Sequence, residues 1–294
     1  MSRRTRTAPA RLPVRKTWKL AIGGAFPRSE SGRSYPVPRA DGSVVRASRA
    51  SRKDVRDAVR AARRALDAWS GITAYLRGQV LYRAGELMES RRAELAEAVA
   101  GAGASPRAAA REVERAVDRW IWYAGWTDKF APLLGGVNPV SGPFYAFSVP
   151  EPVGVVGVVA PEEPALVGLV SRVAPVLAGG NTAVVVASYA NPLPAITLAE
   201  ILATSDVPAG VVNVLTGLDR ELVPVLAAHR DVDALDAAGV RSELAGAVEA
   251  AAADNLKRVH GLGAAVGNVT GGAQSPWRIA DFTETKSVWH PVGP

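Results

Sequence analysis

Between Glu151 and Leu215 the chain reads EPVGVVGVVAPEEPALVGLVSRVAPVLAGGNTAVVVASYANPLPAITLAEILATSDVPAGVVNVL, and this stretch leaves few folds open. Val153–Ala160 is an unbroken apolar run rich in β-branched residues, the pattern of a strand buried on both faces. Pro161–Pro164 breaks it. Ala165–Leu177 carries apolar residues at helical spacing and stops at Gly179-Gly180, a helix C-terminal signal. Thr182–Ala187 predicts a second buried strand. Pro192–Ala203 predicts a second helix that opens on proline, and Val211–Leu215 a third strand. Strands and helices that alternate through short loops close into a parallel sheet with right-handed crossovers. The fold class expected is therefore α/β, a doubly wound parallel sheet of nucleotide-binding type.

The flanking segments add helices before this unit and strands after it. Ser51–Trp69 predicts a helix, with Ser51 or Lys53-Asp54 as its cap and Val55, Val59, Ala62 and Leu66 as its apolar stripe. Its many arginines read as a solvated face. Ala74–Val99 continues the helical pattern, with a break near Ser90-Arg91, and Pro106–Phe130 predicts a third helix. The WIWYAGW cluster of that helix (Trp120, Trp122, Tyr123, Trp126) sits at helical spacing and reads as packing, not as a stacking platform. Ala131–Val140 reads as a loop and Ser141–Val149 as a strand. Beyond Leu215, helices are expected at Glu221–Ala228 and Ser242–Asn255, and strands at Asp233–Ala238 and Leu256–Val259. Asp236 is out of place in a central strand and suggests one that is frayed or has lost a covering layer.

Charge and residue usage exclude several chemistries. The chain has no cysteine, so thiolate nucleophiles, thiolate metal sites and disulfides are absent from it. His229, His260 and His290 have no metal-ligand spacing. The net charge of +7 lies in the first twenty residues, where Arg3, Arg4, Arg6, Arg11, Arg15, Lys16 and Lys19 face no acid; the remaining chain is balanced. That is a solvated tail, not a basic face for nucleic acid. An Arg-rich, acid-free start also resembles a transit peptide, though no apolar signal core follows. No apolar run is long enough to span a bilayer.

The order EPVGVVG, then APVLAGGNTAVVV, then PAGVVNVLTG resembles the cofactor domain of the NAD(P)-dependent aldehyde dehydrogenases. KLAIGGAFPRSESGRSYPVPRADGSVV is similar to that family's N-terminal hairpins. FTETKSV at Phe282–Val288 is similar to its extreme C-terminal strand, which joins a small β-arm used in assembly. The resemblance implies a division into a disordered basic tail (1–16), N-terminal hairpins and helices (17–140), a β oligomerisation arm (141–150 and 280–290), a Rossmann-like cofactor-type domain (151–265) and a linker (266–279) in place of the catalytic domain. Phe144, Tyr145, Phe147, Phe282 and Val288 are the oligomerisation residues it implies.

In the family a cysteine attacks the aldehyde, an asparagine stabilises the oxyanion, hydride passes to the nicotinamide and a glutamate activates water. Glu162 stands at the asparagine position, where a carboxylate would repel an oxyanion. Glu162 and Glu163 together read as surface acids. Val186 replaces the lysine and Tyr189 the acid that contact the adenosine ribose. Gly217 and Gly239 are retained glycines of degenerate cofactor turns, and Gly261-Leu262-Gly263 carries no general base. Gly261, Gly263 and Gly267 read as a flexible linker. No catalytic residue and no metal site is expected, and NAD(P) is expected to bind weakly or not at all.

The expected function is a catalytically inactive assembly or regulatory subunit that pairs with a full-length aldehyde dehydrogenase in the cytoplasm, away from membrane and nucleic acid. An NAD(P)-binding oxidoreductase with a residual groove and a self-associating structural protein are the alternatives.

Overall fold

The computed structural model describes residues 16–263 and 274–293. Residues 1–15 of the expected tail and much of the expected 266–279 linker, Gly267 included, lie outside the described residues. The chain begins with β1 (Thr17–Trp18), β2 (Ser34–Pro38) and β3 (Val44–Ser48), a small sheet in the order β1-β3-β2. Helix α1 (Arg52–Gly71) follows because Ser51 and Asp54 form a capping box: Ser51 Oγ accepts the Asp54 amide and Asp54 accepts the Ser51 amide at 2.7 Å. Helices α2 (Ala74–Ser90) and α3 (Arg92–Ala100) part at Arg91. Helix α4 (Pro106–Ala124) is fixed to α2 by Trp120, whose indole donates to the Leu81 carbonyl at 2.8 Å. Trp120 and Tyr123 are buried, and Trp122 and Trp126 are half-buried. Where a loop was expected from Ala131, a short helix α5 (Phe130–Leu134) forms. Pro132 falls within its first turn, where no intrahelical donor is needed.

Strands β4 (Gly136–Asn138) and β5 (Phe144–Pro152) lead into β6 (Val155–Val159), α6 (Val167–Ala178), β7 (Thr182–Val186), α7 (Leu193–Ala203), β8 (Val212–Leu215) and α8 (Asp219–Ala228). Then come β9 (Ala234–Asp236), α9 (Ser242–Ala253), β10 (Arg258–His260), α10 (Trp277–Ala280) and β11 (Thr283–Pro291). The central sheet is parallel throughout, in the order β10-β9-β6-β7-β8. Its strands alternate between two cores. Val156, Val158, Ala183 and Val185 pack with α2, α4, α6 and α7, whereas Val155, Val159, Val184 and Val186 pack with α1 and α8. Each buried valine is worth roughly 1.5–3 kcal/mol, which explains why the periodic runs in the sequence place these strands so well.

Strand β9 corrects one expectation. It is short but not frayed, pairing with β6 on one side and β10 on the other. Asp236 is buried and faces Arg172 of α6, Nη1 to Oδ2 at 3.6 Å, while the Ala238 amide donates to its other oxygen. A covering layer is present and supplies the countercharge. The remaining sheet, β11-β5-β4, is antiparallel and separate from the central one. Among the described residues no helix is long and apolar enough to cross a membrane.

Candidate functional site

In a doubly wound sheet the ligand crevice lies beyond the carboxyl ends of the strands, at the point where strand order reverses. Here that point is between β6 and β9. Gly239 closes it. Its amide donates to the Val159 carbonyl at 3.0 Å, and a Cβ on Gly239 would stand 2.2 Å from the Ala160 oxygen. Only glycine lets the chain after β9 lie this close to β6.

The helix N-termini along this edge offer free amides, which in related folds take phosphate. In this protein the chain's own carboxylates occupy one of these donor sets and a turn beside it. Glu112, from α4, accepts the Leu166 and Val167 amides at the start of α6, at 2.8 and 3.2 Å through Oε1. Glu162 ties down the turn after β7: it accepts the Ser188 hydroxyl at 2.6 Å, the Tyr189 amide at 3.2 Å and the Ala190 amide at 3.1 Å. Glu162 is thus a structural acid and not the surface group expected; Glu163 beside it is exposed. Glu112, Glu162, Glu163 and Asn191 line a cavity of about 600 Å³ whose other walls are apolar or small and whose lining has no basic side chain.

A third carboxylate lies at the start of α8. Asp219 is 9% exposed, and no hydrogen bond or ion pair holds it among the described residues. Burial, with the nearby charge of Glu162, pushes its carboxyl up to about 6. Tyr189 stacks on Tyr35 with ring centroids 4.8 Å apart, and the buried Tyr35 hydroxyl donates to the Tyr189 carbonyl at 3.5 Å. Its phenol is raised well above its usual range by the same desolvation.

Val186, named as a degenerate cofactor position, is the last residue of β7, but its side chain does not enter the crevice. It is fully buried on the α1–α8 face of the sheet and belongs to the core. Gly217 has φ +152°, where a side chain would be strained, and a Cβ there would approach Leu222 and the Ala50 amide. Its glycine serves the turn into α8. A dinucleotide brings two phosphates to such an edge. Glu112 on the α6 amides and Glu162 on the turn after β7 set negative charge beside it, whereas the N-termini of α8 and α9 carry no side-chain cap among the described residues. Glu112 was not singled out in the sequence, because a helical glutamate gives no sign of a partner fifty-four residues away. The Arg172–Asp236 pair did leave a signal: one basic and one acidic residue, each alone in an otherwise apolar run.

The second candidate surface is the arm. β5 and β11 pair along their whole lengths, from Thr283 opposite Pro152 to Pro291 opposite Phe144. Their register puts Val137, Tyr145, Phe147, Val149 and Val288 on one face, with Phe144, Ala146 and Trp289 on the other. Phe144, Tyr145, Val149 and Trp289 are exposed, and Phe147 and Val288 are half-buried. In this sheet β11 is an edge strand, paired on the β5 side only among the described residues. Phe282 corrects the expectation for it. At 1% exposed it packs in the main core, and its carbonyl accepts from the Asn181 side-chain Nδ2 at 2.9 Å. It anchors the root of β11 and presents nothing to a partner.

Three comparisons bear on this architecture. The model of the aldehyde dehydrogenase family matches residues 29–265. The chain is 32% identical over 248 residues to the cytosolic aldehyde dehydrogenase 1 of Elephantulus edwardii, covering 82% of this chain and 49% of that protein. It is 31% identical over 258 residues to the mitochondrial benzaldehyde dehydrogenase of Antirrhinum majus, covering 85% and 48%. An NAD+ complex of aldehyde dehydrogenase from Bacillus cereus superposes with a TM-score of 0.77 at 27% identity, over 83% of this chain and 50% of that one. The chain spans about half the length of the curated relatives it matches.

Proposed function

The chain belongs to the aldehyde dehydrogenase family, and from that membership we propose that it is a non-catalytic assembly or regulatory subunit of a full-length aldehyde dehydrogenase. The β-arm carries this reading. A strand pair that presents aromatic and aliphatic side chains to solvent and leaves a nine-residue edge strand open is an aggregation hazard unless a partner covers it. A family sheet that receives the arm is the natural cover. Two further features support the inactive half of the reading: the chain has no cysteine for the family's nucleophile, and Glu112 occupies the α6 amides while Glu162 adds a second carboxylate to the same cavity. A cytoplasmic setting belongs to the same proposal.

The test is co-expression with a tagged full-length aldehyde dehydrogenase from the same genome. The chain is expected to co-elute in fixed proportion and, when isolated, to leave NAD(P) unreduced with small aldehydes. A stable monomer or homo-oligomer that ignores the enzyme, or aldehyde-dependent reduction by the pure chain, would sink it.

A further inference from the structure

We propose that a groove between α1 and the end of α8 is a binding site for a phosphoryl anion, such as the diphosphate of a small metabolite. The groove has a volume of about 460 Å³ and is lined by Arg52, Lys53, Arg56, Val225 and His229, within the size range of small-ligand sites. It is distinct from the acidic cavity at the sheet edge, and its existence does not depend on the assembly role.

The arginines of α1 alone read as a solvated face. The structure gives them a second wall. Arg52 and Arg56 stand four residues apart on one helix face, so their guanidinium groups reach the same space. Arg52 makes no ion pair with the described residues. Arg56 gives Nε to Asp57 at 2.9 Å and keeps its terminal nitrogens, and Lys53 holds Glu30 at 3.1 Å with one of its donors. His229 closes the far side. Its Nδ1 accepts the Asp231 amide at 3.2 Å, which puts the proton of the neutral ring on Nε2 and makes that nitrogen a donor.

The surroundings of His229 are cationic. Burial lowers its pKa first. Asp231 opposes the shift, and Lys257, Arg60 and Arg63 add to it. Of these, Arg63 is bound to Asp233 at 2.6 Å, and the Lys257 ammonium donates to the His229 carbonyl at 2.8 Å. Donors thus approach one spot from two walls over the apolar Val225. A compact dianion satisfies such a set through the forked arginine geometry. An extended polyanion needs charge spread along a surface, so a nucleic acid or an acidic peptide fits less well.

The probe is inorganic pyrophosphate, titrated into the full chain while the histidine ring signals are followed by NMR across pH. An anion beside His229 favours its charged form, so its pKa is expected to rise by about half a unit or more. The signals of His260 and His290 should hold still, and the shift should shrink at high salt. The double variant Arg52→Gln/Arg56→Gln, on exposed positions, should remove it with the amide spectrum otherwise kept. No shift, an equal shift in all three histidines, or a shift that survives in the variant would overturn the site. A larger shift with hexaglutamate or duplex DNA than with pyrophosphate at equal charge would overturn its assignment to a small phosphoryl ligand.

Discussion

Asp219 is the residue at which the sheet's carboxyl edge is electrostatically least settled. Its folded carboxyl titrates near 6, above the 3.8 of the free side chain. Between those two values the folded state holds a proton that the unfolded state has lost, so this group's contribution to stability falls as pH rises from about 4 to 6 and is flat above. Asp219→Asn is therefore expected to stabilise the protein by about 1–2 kcal/mol at pH 7, and by little at pH 4. Urea unfolding at the two pH values checks this. An equal effect at both would mean that Asp219 is not held in a raised state. Glu162 and Glu112 differ from it because their charges are met by amides. Neither role was visible in the sequence. Glutamates in a turn and on a helix look like solvated acids until the fold brings α6 and the turn after β7 to them.

At the scale of elements, the apolar strands and their helices were legible because each is a local pattern: β6, β7, α6 and α7 fall within two residues of where periodicity puts them. The loop expected over Ala131–Val140 instead holds α5 and β4, each too short to leave a periodic pattern in the sequence. Strand β9 was misjudged because its interior acid is explained only by a partner on another element. The Arg172–Asp236 pair is buried, and such a pair gives little net stability while its rupture costs much. Arg172→Met should destabilise the protein by about 3–5 kcal/mol, leaving a carboxylate alone beneath α6. The double variant Arg172→Met/Asp236→Val should recover most of that loss. Thermal unfolding of the three variants decides it, and additive losses in the double variant would show that the two residues act separately.

For the whole molecule, two features meet in the proposed role: a β5–β11 strand pair with exposed apolar side chains, and a sheet edge where Glu112 and Glu162 hold the α6 amides and the turn after β7 beside a cavity of about 600 Å³. In the family a β-arm from one subunit extends the sheet of a neighbour, and that exchange needs a receiving sheet as well as a donor strand. Among the described residues this chain offers an open edge strand, β11 on β5, and under the proposed assembly role a full-length partner would supply the receiving sheet. Val288 sits at the middle of the arm, opposite Phe147. Proline there deletes an amide donor, whichever side of β11 it serves, and leaves the central sheet and its two cores untouched. The deciding measurement is the mass, by light scattering, of the complex co-purified with a full-length aldehyde dehydrogenase, for the natural chain and for Val288→Pro. The natural chain should give a heteromer, and Val288→Pro should leave a folded chain and an enzyme that elute apart. A heteromer of unchanged mass with the proline variant would contradict assembly through the arm.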